Sequence, residues 1–459
     1  MNFGIIQKTP LYDAFSDIGK RMFLPDGIFY WAKRANEEAE LIGTLGAAYG
    51  FEKDFIQGGK NDWLPCYLKE IADYSRLPVK EIIPYTSIGG LFETREVWKD
   101  WIIRKSLYSN SEAALLSRLK KYITTPLITG GITNGIFQAC SLFLNPRDSI
   151  IVPNKRWGNY DNIVNKFIGA TCKSFEFFKE NKINIEGIRG AIDKVAQYQE
   201  KIVLLLNFPN NPTGYVPTKE EGSNIVDLLK ESQLVHNKPI IVLIDDAYEP
   251  YMFRENVLKR SIFYDLHQLD ENVIPIKLDG ITKELLIYGG RVGFITLSLK
   301  PSWTENDEEL QILKSEVHNK LEGFIRATIS NCNSFYQVVV HKLFQEKGME
   351  QIIKSRNEVQ NLLNKRYDCI NSELKKIENA SISTDPNSGG FFVVLNLDKN
   401  KIKAREFADH LLKQYKVGVI PIEKLNENVN GIRIAYCSID LTEIPELIKR
   451  IKIALNDFS

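Results

Sequence analysis

The feature that most constrains the fold is a series of short apolar runs between about residues 110 and 330. Val- and Ile-rich runs alternate there with longer amphipathic stretches, as in Ser149–Val152, Ile202–Leu206, Ile240–Ile244 and Phe294–Leu297. Such runs are typical of mostly parallel strands that are buried on both faces and separated by helices. The sequence therefore predicts an α/β fold whose large domain holds a mostly parallel sheet flanked by helices.

The pattern changes beyond residue 335. A long helix is predicted over about residues 335–376, and it is followed by three strands and two helices: Phe391–Leu397, Ala404–Tyr415, Val417–Ile420, Gly431–Ala435 and Leu441–Leu455. This mixture predicts a smaller α+β domain. Residues 1–60 are too few for a domain and are expected to pack on that domain as an N-terminal segment. The large domain is then 61–330 and the small domain 331–459.

Composition excludes several classes of protein. The 459 residues include 59 Lys and Arg against 58 Asp and Glu, so the basic excess of a nucleic-acid-binding protein is missing. No apolar run approaches the ~20 residues of a membrane span, and no signal peptide is recognisable at the start. The six cysteines and five histidines show no metal-ligand or disulfide spacing. We therefore expect a cytoplasmic protein with no membrane partner, no nucleic-acid partner and no metal.

Polar residues follow three of the predicted strands. Asn207–Gly214 comes after one strand, Asp245–Tyr248 after the next, and Lys283 precedes Arg291 by eight residues in a glycine-containing segment. Each segment alone is consistent with an ordinary turn, because Asn, Pro and Gly favour turns. Together they are more informative, because open α/β sheets bind ligands at the carboxyl ends of their strands.

In this order the three segments resemble the pyridoxal-phosphate (PLP) aminotransferases of fold type I, in particular the aspartate and aromatic aminotransferase branch. The resemblance covers the chain from about Leu45 to Ala435. It implies PLP as cofactor, a seven-stranded sheet in the large domain, and a small domain built from both termini. It also implies a homodimer with shared active sites.

The resemblance assigns the catalytic lysine to Lys283, whose amine would condense with the cofactor aldehyde and later move a proton. Lys277 is the nearest competitor, and a solvated surface lysine is the ordinary alternative. Asp245 is expected to keep the pyridine nitrogen of the cofactor protonated. Asp246 would lie on the opposite face of an extended chain.

Further cofactor contacts follow from the same resemblance. Tyr248, the third predicted catalytic residue, and Asn211 are expected to bond the phenolic oxygen, although a buried hydroxyl and a turn residue are the structural alternatives. Trp157 is expected to stack on the ring, with an ordinary core tryptophan as its alternative. Trp157 and Asn211 would also border the substrate.

The phosphate of the cofactor is expected at the glycine turn between a strand and a helix. Gly131, Ile132 and Thr133 would donate from the helix N-terminus, and Arg291 would clamp the dianion as a fork. Gly280 departs from the family pattern, which usually has a hydroxyl residue three positions before the lysine. The sequence thus predicts that a phosphate donor is either missing, with weaker cofactor binding, or supplied from elsewhere.

Four residues are expected to contact the substrate or the second subunit. Arg433 would bind the substrate α-carboxylate, or else form an internal salt bridge. Arg326 would reach from the partner subunit to a distal carboxylate, or else pair with an acidic neighbour. Tyr85 would reach across the dimer to the phosphate, or be a plain interface residue, and Ala48 would narrow the substrate pocket.

The predicted function is amino transfer between an L-amino acid, either aspartate or an aromatic one, and 2-oxoglutarate by a ping-pong mechanism. A β-lyase or decarboxylase of the same fold type is the alternative. A PLP-binding regulatory protein is less favoured, because the first 60 residues have neither the length nor the charge of a DNA-binding domain.

Overall fold

A seven-stranded sheet forms the centre of the larger unit in the computed structural model, which describes residues 5–25, 27–74, 77–107 and 113–458. The ends of the predicted N-terminal segment and small domain, residues 1–4 and 459, lie outside these ranges. Six strands are parallel and one, Gly293–Leu297, is antiparallel to both of its neighbours. Their spatial order is Leu127–Thr129, Gly293–Leu297, Val273–Gly280, Ile240–Asp245, Ile202–Asn207, Ser149–Pro153 and Thr171–Phe175. The predicted mostly parallel seven-stranded sheet is confirmed.

Both faces of this sheet are covered by apolar side chains. In the central strand Ile202–Asn207, Leu204 and Leu206 contribute to one hydrophobic cluster and Val203 and Leu205 to another. Alternate residues of a strand point to opposite faces, so the continuous apolar run reflects burial on two sides. The helices in this part of the chain are Phe92–Lys105, Ala113–Tyr122, Ile132–Phe143, Asn159–Asp161, Ile185–Ala196, Lys219–His236, Phe263–His267, Ile281–Glu284, Asp307–Thr328 and Ser334–Lys347.

A four-stranded antiparallel sheet forms the smaller unit. Its strands lie in the order Ile382–Thr384, Val393–Leu397, Val429–Ile434 and Ile420–Lys424. The helices that accompany it are Ile28–Glu38, Met349–Leu374, Ala404–Tyr415 and Ile444–Asn456. Short elements elsewhere are the helices Pro10–Asp13, Asp17–Arg21 and Val79–Ile82 and the hairpins Tyr49–Phe51 with Trp63–Pro65 and Phe178–Lys179 with Lys182–Ile183.

The N-terminal segment contacts the smaller unit through a strand pair. Leu41–Ile42 lies parallel to Val417–Gly418, and Trp31 and Leu41 belong to the hydrophobic cluster of the small sheet. The proposed limits of the three regions stay predictions. Within the described ranges, no helix combines the length and the apolar character needed to cross a bilayer.

The long helix expected over residues 335–376 is in fact two helices, Ser334–Lys347 and Met349–Leu374. Gly348 separates them with a φ of 77°, a left-handed conformation that glycine adopts without steric cost. The helical periodicity continues on both sides of this glycine, so the sequence pattern alone did not reveal the break.

Candidate functional site

The candidate site lies at the carboxyl ends of the parallel strands of the large sheet. Asp245 is paired in register with Asn207 on one side and with Leu278 on the other. The Asn207 side chain joins the first two strand ends, because its amide donates to the Asp245 carbonyl at 2.7 Å and accepts from the Asn211 backbone at 2.7 Å. Arg291 precedes the antiparallel strand, so it reaches the same end of the sheet from the opposite chain direction.

Asp245 is a buried carboxylate with two hydrogen-bond donors. The Tyr160 hydroxyl donates to its Oδ2 at 2.5 Å, and the backbone of Ala247 donates to its Oδ1 at 3.1 Å. Burial raises the pKa of Asp245 to about 6, and these two bonds oppose that rise. The Asp246 carboxylate points to the other face of the sheet, where it accepts from Lys277. The two neighbouring acids therefore have separate environments.

Lys283 lies on the one-turn helix Ile281–Glu284, and its amine donates to the Gly46 carbonyl. The nitrogen is 4.9 Å from the Tyr288 ring centre and 6.0 Å from that of Tyr248. Desolvation lowers the pKa of Lys283 to about 8, and the nearby cations Arg291 and Arg433 act in the same direction. A lysine in this state supplies a neutral amine near neutral pH.

The competitor Lys277 has a different environment. Its ammonium is fully buried, donates to Asp246 and to Glu249, at 2.8 Å from the latter, and lies 3.8 Å from Asp279. These carboxylates outweigh the effect of burial and raise the pKa of Lys277. A protonated amine is not a nucleophile, so this geometry favours Lys283 as the reactive lysine.

The glycine turn and Arg291 form an open cradle beside the lysine. Gly131 is the N-cap residue, directly before the helix Ile132–Phe143. It has a φ of 84° and provides no capping side chain. A Cβ at Gly131 would lie 2.5 Å from Nη2 of Arg291, so only glycine admits the guanidinium here. Arg291 forms no ion pair with any carboxylate in the described part of the chain, and its Nη2 donates at 3.5 Å to the Gly130 carbonyl. Backbone donors at the start of a helix and a guanidinium without a carboxylate partner suit a phosphate.

Gly280, the departure from the family pattern, has a steric reason. A Cβ at this position would lie 2.7 Å from the Val292 carbonyl oxygen and 2.8 Å from the Gly293 Cα. The close antiparallel neighbour therefore excludes any side chain. Thr282 lies two residues further on, and its hydroxyl is buried without a hydrogen-bond partner among the described residues.

Arg433 is a buried cation on the strand Val429–Ile434. Its guanidinium donates to the Thr44 carbonyl at 2.6 Å and to the Asn211 side chain at 3.2 Å, and it stacks 4.2 Å from the Phe392 ring centre. Nε has no partner, and no carboxylate pairs with Arg433 within the described ranges. The alternative of an internal salt bridge is therefore not observed.

Residues 44–49 form a segment that we call the strap. Besides the contacts of Thr44 and Gly46, the Ala48 backbone donates to the Tyr288 hydroxyl at 3.0 Å, and the Tyr49 carbonyl accepts from Arg366 at 2.6 Å. Cys437 also donates from Sγ to the Leu45 and Ala47 carbonyls, at 3.5 Å and 3.4 Å, so five side chains bind the strap through its main chain. Ala48 is fully buried at this place.

Two predicted aromatic residues border the same region. Trp157 is partly buried and meets the Tyr160 ring edge-on at 5.5 Å. Tyr248 is buried, and its ring lies 5.1 Å from that of Phe391 and 5.6 Å from that of Phe392, both edge-on. Burial raises the pKa of Tyr248, so its hydroxyl stays protonated and can donate.

Tyr85 and Arg326 do not join the site within a single chain. The Tyr85 side chain is 93% exposed. Arg326 is exposed in the last turn of the helix Asp307–Thr328 and donates to the Ser330 hydroxyl. No acidic side chain pairs with Arg326 in the ranges that the structure describes. The predicted contacts of both residues require a second subunit.

Three residues of the site were not singled out from the sequence as functional. Tyr160 lies three positions after Trp157, which places both on one face of a helical turn. Asn207 is the first residue of the predicted turn, and its spacing from Asn211 gave no separate signal. Tyr288 lies between Lys283 and Arg291 in a segment where only the lysine, the arginine and the glycines attracted attention.

The arrangement fits PLP part by part. The cradle of Gly131 and Arg291 suits the phosphate, buried Asp245 suits a cationic ring nitrogen, and Lys283 supplies the amine. Orphaned buried atoms, Nε of Arg433 and the Thr282 hydroxyl, remain for further polar contacts. Buried polar groups of proteins are normally hydrogen-bonded, so these atoms indicate a site for a polar ligand.

Comparison with known proteins agrees with this geometry. Residues 105–451 match the family described as aminotransferase class I and II. The chain is 25% identical over 380 residues to an aspartate aminotransferase of Sulfurisphaera tokodaii, a match that covers 80% of this chain and 81% of the relative.

Solved structures of low identity share the fold. A crystal structure of an aminotransferase from Anaerococcus prevotii has a TM-score of 0.77 and 24% identity, and the match covers 95% of this chain and 98% of that one. A Pyrococcus horikoshii kynurenine aminotransferase in complex with PMP has a TM-score of 0.76 and 17% identity, with 97% and 98% covered.

Proposed function

Because this chain belongs to the class I and II aminotransferases, we propose that it transfers an amino group between an L-amino acid and 2-oxoglutarate in a ping-pong reaction. It is a PLP-dependent transaminase. We also propose roles for the individual site residues, a class of substrates and a homodimer.

PLP, when bound, withdraws electrons from the substrate Cα and so makes its proton acidic. Lys283 would hold the reacting end of the cofactor, and its neutral amine would serve as the base that moves the proton of the substrate Cα. Asp245 stabilises a proton on the ring nitrogen, and Tyr248 and Asn211 bond the phenolic oxygen. The cradle of Gly131 to Thr133 and Arg291 holds the phosphate.

The single observation that carries the proposal is that Lys283 and Arg433 both donate to the main chain of the strap. The Gly46 carbonyl accepts from the Lys283 amine and the Thr44 carbonyl from the Arg433 guanidinium, so a reactive amine and a buried cation are held by carbonyl groups only two residues apart. Arg433 has no carboxylate partner of its own among the described residues. An α-amino acid offers a carboxylate to Arg433, and its amine is the group that would replace the Lys283 amine on the cofactor.

A dicarboxylate is the proposed donor, either aspartate or glutamate, with aromatic amino acids as the second candidates. The relative from Sulfurisphaera tokodaii carries the name aspartate aminotransferase, and the Pyrococcus horikoshii structure is of a kynurenine aminotransferase. Arg326 is exposed and free of acidic partners in the described chain, so it is available to a carboxylate in a neighbouring active site.

A homodimer would complete the site. The segment around Tyr85 exposes a cluster of apolar side chains, and such a cluster is typical of a subunit interface. Its members are Val79, Ile83, Tyr85, Ile88 and Phe92. In the proposed dimer this face meets a second copy of the chain, and Tyr85 reaches the phosphate of the neighbouring cofactor.

The proposal is tested by separate half-reactions of the purified protein loaded with PLP. Each amino acid is added alone, and the visible absorption of the cofactor is followed together with the released products. We expect loss of the visible band with one equivalent of the matching 2-oxo acid. Release of ammonia and pyruvate would favour a β-lyase, and CO₂ would favour a decarboxylase. A spectrum that no amino acid changes would favour a regulatory protein.

Lys283→Ala gives the matched control for this test. This variant is expected to bind PLP without covalent attachment and to release no oxo acid. Retained turnover would move the catalytic role to another lysine and contradict the residue assignment while leaving the family untouched.

A further inference from the structure

A chain of buried charges lies beneath the candidate site. Three of its acidic residues directly follow proposed site residues: Asp246 follows Asp245, Glu249 follows Tyr248, and Glu284 follows Lys283. All three acids are buried. Each of these three site residues is therefore followed directly by a buried carboxylate, which requires a cationic partner.

Lys277 joins the first two acids. Its ammonium donates to Asp246 and, at 2.8 Å, to Glu249. Burial alone would lower the pKa of Lys277, but the carboxylates outweigh it and raise that pKa, so Lys277 remains a cation.

Lys105, at the end of the helix Phe92–Lys105, joins the second acid to the third. Its ammonium lies 2.8 Å from Glu249 and 2.9 Å from Glu284. Burial alone would raise the pKa of Glu249, but the two lysines that share it lower that pKa to about 2. The order of contacts is Asp246, Lys277, Glu249, Lys105, Glu284, with acid and base alternating.

Tryptophans bind Glu284, at one end of this chain, and Asp279, which lies beside it. Trp101 donates from its ring nitrogen to Glu284 at 2.7 Å, and Trp98 donates to Asp279 at 2.9 Å. Glu249, Asp279 and Glu284 converge as the ligands of a metal ion would. The Lys105 ammonium already lies among them, 3.4 Å from Asp279, so a lysine occupies the place of the cation.

We propose that Lys277 and Lys105 are positioning residues, which hold Asp245, Tyr248 and Lys283 in their relative places by pairing with the acid that follows each of them. This inference rests on the proposed roles of those three residues. Neither lysine contacts the reacting groups, so both act only through their acidic partners.

Because the ion pairs of Lys277 and Lys105 are buried, they hold the acidic residues firmly in place. Removal of one partner of a buried ion pair leaves an uncompensated charge and is strongly destabilising, so the acids cannot leave their lysines without cost. A displacement of active-site groups by about 1 Å lowers the reaction rate of an enzyme by up to about 100-fold. A second anchor acts in the same sense, because the Tyr251 hydroxyl donates to the Lys283 carbonyl at 2.8 Å.

The experiment measures how fast the cofactor-free protein attaches PLP at Lys283, with loss of water, by borohydride trapping and peptide mass spectrometry. This readout needs no turnover, so it separates the present inference from the proposed transamination. Lys277→Met is expected to attach PLP at least ~10-fold more slowly per folded molecule, and kcat should fall similarly while KM changes less than ~3-fold. Circular dichroism gives the folded fraction at a temperature below each unfolding midpoint.

Lys300→Met is the matched control, because Lys300 is also a fully buried lysine and, among the described residues, its ammonium donates to the Leu269 carbonyl alone, at 2.8 Å. It should lose stability without a change in attachment rate. Glu284→Gln keeps the size of the side chain and a Trp101 acceptor, so it tests the Lys105 arm if Lys277→Met does not fold. Attachment rates equal to the parent in the folded Lys277 or Glu284 variant would overturn the inference.

Discussion

The hydroxyl of Tyr160 donates a 2.5 Å hydrogen bond to Oδ2 of Asp245. This bond stabilises the charged form of a carboxylate whose pKa burial has raised to about 6. Because Asp245 must be ionised to hold a proton on the cofactor ring, the bond extends the pH range of cofactor binding downwards.

Tyr160→Phe should therefore raise the pKa of Asp245 in the cofactor-free protein. A hydrogen bond to a charged group is worth ~1.5 kcal/mol, so the pH at which PLP affinity declines should rise by about one unit. Fluorescence titration with PLP between pH 5 and 8 measures this, with the parent protein as reference for the titration of the PLP phosphate itself. Identical profiles of parent and variant would show that Tyr160 does not control Asp245.

The lowered pKa of Lys283 predicts that the rate of PLP attachment also increases with pH. The neutral amine is the nucleophile, so attachment of PLP should accelerate as pH rises towards about 8, the pKa of Lys283, and should level off above it. The initial rate of borohydride-trapped attachment between pH 6 and 9.5 checks this. A plateau that begins only near the pKa of an ordinary lysine would contradict the environment described for Lys283.

Arg433→Gln should weaken recognition of the substrate α-carboxylate. Loss of a charge-assisted contact of ~3 kcal/mol corresponds to about 100-fold in kcat/KM for an amino acid. The decarboxylated amine of the same substrate lacks the group that Arg433 binds, so its much lower kcat/KM should hardly change. A parallel loss for both compounds would assign Arg433 to the support of the strap alone.

Arg326→Leu tests the distal carboxylate. The kcat/KM for aspartate and glutamate should fall at least ~30-fold, on ~2 kcal/mol of lost interaction, while phenylalanine changes little. Arg326→Lys keeps the positive charge but loses the forked guanidinium. Its kcat/KM for aspartate and glutamate should therefore lie between the values of the parent and of Arg326→Leu. Equal losses for dicarboxylic and aromatic donors would make Arg326 structural.

Tyr85→Phe removes only a hydroxyl from the exposed apolar cluster. The dimer should persist in sedimentation analysis, because the aromatic ring keeps its contact area, while PLP should dissociate faster. A change of about tenfold in Kd corresponds to ~1.4 kcal/mol, the scale of one hydrogen bond. Monomers with normal PLP affinity, or an active monomer of the parent protein, would contradict the shared site.

In the large sheet, strands with purely apolar runs could be predicted from the sequence, but two others could not. Val273–Gly280 carries Pro275, Lys277 and Asp279, and these residues mask a central strand because their partners come from distant segments. Thr171–Phe175 is an edge strand with exposed polar positions. Both strands depend on tertiary contacts that a local pattern does not contain.

The site divides in a similar way. Segments such as Asp245–Tyr248 have a recognisable order along the chain, so the sequence identified the residues that the structure gathers at the carboxyl ends of the strands. The Tyr160 and Tyr288 contacts join positions 85 and 240 residues apart, and nothing in the local composition marks either tyrosine. Gly280 was expected to weaken phosphate binding, but only the structure reveals the steric contact that excludes a side chain there.

The strap is held through its main chain, so some of its side chains, and with them the range of substrates, can change. Arg433, Lys283, Tyr288, Arg366 and Cys437 bind its carbonyl and amide groups, which every residue type except proline provides in full. Gly46 is constrained, since a Cβ there would lie 2.7 Å from the Phe392 ring. Thr44 and Ala48 are fully buried, whereas Leu45 and Ala47 are only partly buried, so the side chains at 45 and 47 can vary without loss of these bonds. Evolution, or a combinatorial library at positions 45 and 47, can therefore change the side chains of the strap while the catalytic framework stays constant.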